Sequence, residues 1–237
     1  MTNIQLVVFD MAGTTVTDQN EVESCFVQAA DNTSLPYSRD DIMSMMGWSK
    51  KRVFEILWAK AKPGSSVTGL NTLVERSYQE FKMILENHYR LAAVTPTAHC
   101  LTVFNELRSR DIKIALTTGF YREVTNIILA RLGWDQGLDK HYLGGKDSLI
   151  QLSVASDEVA QGRPAPDMIL KCMETLHVDD PKNVINIGDT PSDLEAGKRA
   201  GCLYSLGICN GTHTREQLAA LPNDGLLHNL AELINYL

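Results

Sequence analysis

Asp10 ends a short apolar run, Ile4 to Phe9 (IQLVVF), and is followed by Met11-Ala12-Gly13-Thr14-Thr15. A carboxylate in that position is a candidate covalent nucleophile. A second run, Ile112 to Leu116, ends in Thr117-Thr118-Gly119, and a third, Val184 to Ile187, ends in Gly188-Asp189-Thr190-Pro191-Ser192-Asp193. Between them a lone cation, Arg163, occupies the turn Gly162-Arg163-Pro164-Ala165-Pro166-Asp167. If the three runs end at one edge, Asp189 becomes a second hard oxygen ligand beside Asp10. Such a pair suits Mg2+, which prefers carboxylates, waters and phosphate oxygens.

Those residues need a scaffold that gathers distant segments. The first run is too short for a helix and β-branched enough for a buried strand, so Asp10 falls at the C-terminal edge where open α/β sheets place their ligand sites. Helical patterns at Thr97 to Ser109, Tyr121 to Leu132, Met168 to Leu176 and Ser192 to Ala200 alternate with strand-like runs. That alternation predicts an α/β fold, a Rossmann-like core with a parallel sheet covered on both faces. From about Asn20 to Arg90 the pattern is helical throughout, with Val53, Phe54, Leu57 and Trp58 on one face. This stretch reads as an inserted α-helical cap: residues 1–18 and 93–237 form the core, 19–92 the cap, with hinges near 17–20 and 91–95. Lys62-Pro63-Gly64-Ser65-Ser66 reads as a loop between two cap helices.

With 237 residues the chain can bury a sizeable core. Its net charge of −7 argues against non-specific attraction to nucleic acid or to an anionic membrane. No segment is long enough to span a bilayer, and the N-terminal run, short and leading straight into Asp10, does not read as a signal peptide. The five cysteines show no metal-ligand spacing and read as reduced thiols, which places the protein in the cytoplasm. A homodimer is left open.

The order nucleophilic Asp, Thr, Arg, acidic pair, each after the matching element, resembles the four motifs of the haloacid dehalogenase (HAD) superfamily over nearly the whole chain. The resemblance implies a Mg2+-dependent hydrolase in which Asp10 attacks phosphorus and forms an aspartyl-phosphate. It implies that the Ala12 carbonyl joins Asp10 and Asp189 around the metal, and that Gly13, Thr118 and the Gly119 amide hold the phosphoryl group. Arg163 would clamp nucleophile and phosphoryl oxygens as a fixed planar cation. Asp193 either accepts from metal-bound waters or serves as a first-turn acid favoured by the helix dipole. Plainer readings exist for the others: Thr118 as a cap for the helix near Tyr121, Arg163 as a surface arginine.

Ala12 departs from the phosphatases of that superfamily, which usually carry a second Asp two residues after the nucleophile as general acid and base. A methyl group cannot transfer a proton. The variant Asp10-Met11-Ala12-Gly13-Thr14-Thr15, with Thr117-Thr118-Gly119-Phe120, Gly162-Arg163-Pro164 and Gly188-Asp189-Thr190, resembles the phosphonoacetaldehyde hydrolase (phosphonatase) branch. That branch uses a cap lysine in a Met-Gly-x-x-Lys segment to form a Schiff base with the substrate aldehyde. Met46-Gly47-Trp48-Ser49-Lys50 puts Lys50 at the matching position, where it forms the imine or only binds a substrate anion. Two departures accompany the match: Val53 stands where the branch has a His, and the Cys after the first motif is unmatched. The resemblance implies cleavage of a carbon–phosphorus bond in a small aldehyde phosphonate. The alternatives are a phosphatase acting on a small phosphate monoester and a non-catalytic binding module on the same scaffold.

Overall fold

In the computed structural model, which describes residues 3–237, the chain begins with strand β1, Leu6–Asp10, every residue of it buried. Four helices follow before the next strand: α1 (Glu21–Asn32), α2 (Arg39–Ser44), α3 (Lys50–Ala61) and α4 (Val67–Leu91). After α5 (Cys100–Ser109) come β2 (Lys113–Thr118), α6 (Arg122–Leu132), β3 (Leu152–Ala155), α7 (Asp167–Thr175), β4 (Val184–Gly188) and α8 (Pro191–Ala200). Strand β5 (Tyr204–Ile208), short helix α9 (Arg215–Ala219) and β6 (Gly225–Leu227) complete the order.

The six strands form one parallel sheet in the order β3-β2-β1-β4-β5-β6. Along β1 the side chains alternate between two cores. Val7 and Phe9 face the layer that holds α5 and α6, while Leu6 and Val8 face α7 and α8. Both faces are covered, which is why each run is apolar at successive positions rather than alternating with polar ones. The chain leaves β1 toward β2 on one side and pairs with β4 on the other, so the order reverses between β1 and β4. A crevice opens at such a reversal, outside the carboxyl ends of the strands.

Helices α1, α3 and α4 pack on one another through aromatic rings: Phe26 stacks on Phe54 at 4.4 Å between centroids, and Phe81 meets both rings at about 6 Å. The residues expected to share a face of α3, Val53, Phe54, Leu57 and Trp58, are all buried there. Trp58 Nε1 donates to Ser77 Oγ at 2.9 Å, so the one polar atom of that face is satisfied. The two chain passages joining these helices to the sheet run side by side: Thr17 N donates to the Thr95 carbonyl at 2.9 Å, and Thr97 N to that of Thr15 at 3.0 Å. The expected helix from Thr97 begins only at Cys100, because His99 adopts φ +65° and turns the chain just before it. No helix among the described residues is long and apolar enough to cross a membrane.

Candidate active site

Parallel register brings the three motif-bearing strands level: Asp10 pairs with Thr117 of β2, and Phe9 with Ile187 of β4. Asp10, Thr118 and Asp189 therefore emerge together at the crevice. They line one small cavity, together with Ala12, Gly119 and Lys50. Lys50 enters from the first turn of α3, is buried, and lies with its Nζ 3.4 Å from the Trp48 carbonyl.

Behind the cavity Arg163 is buried and paired through both terminal nitrogens. One guanidinium nitrogen binds Asp10 Oδ1 and sits 2.7 Å from Asp193 Oδ1, while the other donates to Thr117 Oγ1 at 2.6 Å. The guanidinium holds the nucleophile from outside the residues that line this cavity. Asp193 shares the Arg163 guanidinium with Asp10 through its Oδ1. Its second oxygen accepts from the Thr190 amide at 3.1 Å and from Thr190 Oγ1, closing a capping box at the start of α8. The first-turn alternative fits it, with the Arg163 ion pair added.

Gly13 is held in the turn after β1. Its amide donates to the Val16 carbonyl at 2.8 Å, which leaves it unavailable to a phosphoryl oxygen. Its φ of +87° and bare Cα instead let the backbone lie against Asp189: a Cβ there would come 2.4 Å from Asp189 Oδ2. Thr118 accepts from Phe120 N at 3.1 Å, so it shapes the turn after β2 rather than capping α6. The Thr212 amide donates to Asp189 Oδ2 at 2.6 Å, from the loop after β5. That loop and Asp18, another cavity residue, lacked any flag in the sequence; both reach the site only through folding.

Electrostatically the cavity is rich in carboxylate and poor in cation. Burial, reinforced by Asp193, pushes the Asp189 carboxyl up to about 7. Burial likewise pushes Asp10 up against the pull of Arg163, with Asp193 and Asp189 adding to the rise. Burial pulls Lys50 down to about 8, and the carboxylates Asp18 and Asp10 oppose it. A hard cation would relieve the carboxylates, and the donor set suits one. Among the described residues no cluster of three His, Cys, Asp or Glu side chains has ligand geometry, but two carboxylates and the Ala12 carbonyl, which accepts no hydrogen bond within the protein, offer oxygen only. That is the donor type Mg2+ takes, with waters and substrate filling its remaining positions.

A sequence model of the haloacid dehalogenase-like hydrolases matches residues 4–201. The chain belongs to that family and is a hydrolase. Curated relatives include phosphonoacetaldehyde hydrolases. That of Latilactobacillus sakei is 32% identical, covering 98% of this chain and 87% of its own length. That of Bacillus cytotoxicus is 30% identical, over 88% and 77%. Among solved structures, a phosphonoacetaldehyde hydrolase-like protein from Oleispira antarctica shares the fold at TM-score 0.75 and 18% identity, covering 99% of this chain and 91% of its own. A predicted phosphoglycolate phosphatase from Haemophilus somnus does so at 0.74 and 16%, over 100% and 99%. At those identities the solved structures speak to the fold alone.

Proposed function

We propose that the protein hydrolyses the carbon–phosphorus bond of a small aldehyde phosphonate, with Lys50 forming an imine and Asp10 accepting the phosphoryl group. The observation that carries this is the placement of Lys50. It is a buried amine across a small cavity from the nucleophile, held near neutrality by desolvation. An amine with a pKa near 8 is partly unprotonated at neutral pH and can add to a carbonyl carbon. The names of the curated relatives support the same substrate class.

Lys50 Nζ adds to the aldehyde and water leaves, giving a protonated imine two bonds from phosphorus. Attack of Asp10 on phosphorus then breaks the carbon–phosphorus bond, and its electron pair moves into the imine to leave an enamine on Lys50. Protonation at carbon and hydrolysis release the shortened aldehyde, while water cleaves the aspartyl-phosphate. Because the electrons go into the imine, no acid is needed at position 12, and the Ala12 methyl leaves room instead. Arg163 fixes Asp10 from behind so that its free oxygen faces the cavity, and Thr118 with the Gly119 amide holds phosphoryl oxygens. Mg2+, held by Asp10, Asp189 and the Ala12 carbonyl, would supply positive charge to the phosphoryl oxygens. We take residues 19–92 as a cap that closes over residues 1–18 and 93–237, excluding bulk water from these steps.

Borohydride reduction in the presence of phosphonoacetaldehyde tests the reading. The expected result is a covalent adduct on Lys50, with neither adduct nor phosphonate cleavage in Lys50→Arg. A phosphatase would behave oppositely: no adduct, ester hydrolysis surviving Lys50→Arg, and ester turnover raised about a hundredfold by Ala12→Asp through a restored proton donor.

A further inference from the structure

We propose that Asp18 is the acid–base partner of Lys50, carrying the protons that imine formation moves. The assignment rests on the Schiff-base reading. Imine formation needs a base to free the amine and an acid to expel hydroxide as water, and Val53, one turn along α3, is apolar and buried. Of the residues lining the cavity, four can titrate: Asp10, Asp18, Lys50 and Asp189. Asp10 is gripped by Arg163 and must stay ionised to attack, and Asp189 is tied to the Thr212 amide and faces the metal position. Asp18 is the carboxylate left over.

Its setting fits the task. Asp18 lies just ahead of α1 in the passage from core to cap, half-buried, so it stays beside the cavity as α3 brings Lys50 over it. Its Oδ1 accepts from the Glu21 amide at 2.8 Å, and its carboxyl is hydrogen-bonded to the Glu21 carboxylate, which favours the protonated form of Asp18. The groups facing it are Lys50 from α3, Glu21 and Cys25 from α1, Tyr89 from α4, and Asp189 from the end of β4; His88 of α4 faces Glu21. Burial, then the Glu21 carboxylate, pushes Asp18 up to about 7, so both of its protonation states are populated near neutral pH. The protons balance. Asp18 takes one from the Lys50 ammonium, the free amine adds to the aldehyde, and the resulting carbinolamine oxygen takes a proton from its own ammonium nitrogen. Asp18 returns its proton to the carbinolamine hydroxyl, which leaves as water, and the nitrogen keeps one proton as the cationic imine.

The rate of borohydride-trapped adduct formation on Lys50, followed by mass against time and pH in the full-length Mg2+-supplied protein, distinguishes this role from its rivals. Asp18→Asn keeps an oxygen for the Glu21 amide. It also removes a charge that holds the Lys50 pKa up, so more amine is free below pH 8. A merely electrostatic neighbour then predicts faster trapping, and a proton carrier predicts trapping slowed about a hundredfold. Asp18→Glu should recover part of that rate. Wild-type-like or faster trapping by Asp18→Asn, or Asp18→Glu as slow as Asp18→Asn, overturns the assignment while leaving the imine intact. Absence of any adduct in the wild type overturns the Schiff-base reading first, and this inference with it.

Discussion

Arg163 is the ion-pair partner of the buried nucleophile and opposes, without cancelling, the rise that burial imposes on Asp10. Its guanidinium spans Asp10, Asp193 and Thr117, so loss of one partner leaves it paired. Asp10→Asn should therefore unfold at a temperature close to that of the wild type yet lose on the order of a thousandfold or more in turnover, because an amide cannot attack phosphorus. Near-wild-type turnover would remove the covalent role. Lys50 carries the opposite burden. Its ammonium is disfavoured in the folded state, so between about pH 8 and the ordinary 10.5 the unfolded chain binds the additional proton, and folded stability rises with pH across that window. Lys50→Met should melt higher than the wild type at pH 7, by roughly a few degrees, with the gap closing as pH passes from 8 to 10.5. Thermal unfolding at a series of pH values reads it directly; a gap independent of pH would mean that the lysine is not buried as a cation.

The segment Met46–Lys50 meets the core through two glycines. A Cβ on Gly47, whose φ is +82°, would sit 2.3 Å from Ser192 Oγ, and one on Gly119 would sit 2.5 Å from the Gly47 carbonyl. Ser192 Oγ donates to the Met46 carbonyl at 3.2 Å, pinning the segment to the start of α8. Gly47→Ala should hold Lys50 away from Asp10 and lower kcat at least tenfold, and its left-handed backbone should cost about 1–2 kcal/mol of stability as well; unaltered kcat would show that this contact does not set the distance between them. Within the helical layer the demand is packing rather than approach. Phe81 is fully buried between Phe26 and Phe54, so Phe81→Ala should cost about 3–5 kcal/mol in urea unfolding.

Across the molecule, the site is assembled from both sides of a topological reversal, and its carboxylates repel one another until a cation joins them. Millimolar Mg2+ should therefore raise the melting temperature at neutral pH, since a ligand at a hundredfold its dissociation constant adds about 2.7 kcal/mol to the folded state. Asp189→Asn should abolish that rise, and chelation should abolish turnover until Mg2+ is returned. A melting temperature blind to Mg2+ in the wild type would argue against the oxygen site. The passages at Thr17 and Thr95 are joined by hydrogen bonds, so the proposed closing of residues 19–92 over the core would have to move both together.

The strand ends, the family and the helical insertion were legible in the sequence because each depends on local pattern: apolar runs ending in Asp10, Thr118 and Asp189, and 3.6-residue periodicity from α1 to α4. The resemblance to the phosphonatase branch also sufficed to flag Lys50, since the matching Met-Gly-x-x-Lys segment is contiguous. Which way Arg163 turns was not legible. Its partners Asp10 and Asp193 lie far along the chain in opposite directions, and only the sheet register decides that they meet behind the cavity instead of within it. The same holds for the Gly13 amide, taken up by Val16 in a tight turn, and for Thr212 and Asp18, which no local pattern distinguishes from other polar loop residues. Local pattern determined what chemistry the chain carries; which groups face one another was decided by parallel pairing and by the seating of α3 over the crevice, because contacts between remote segments depend on tertiary packing.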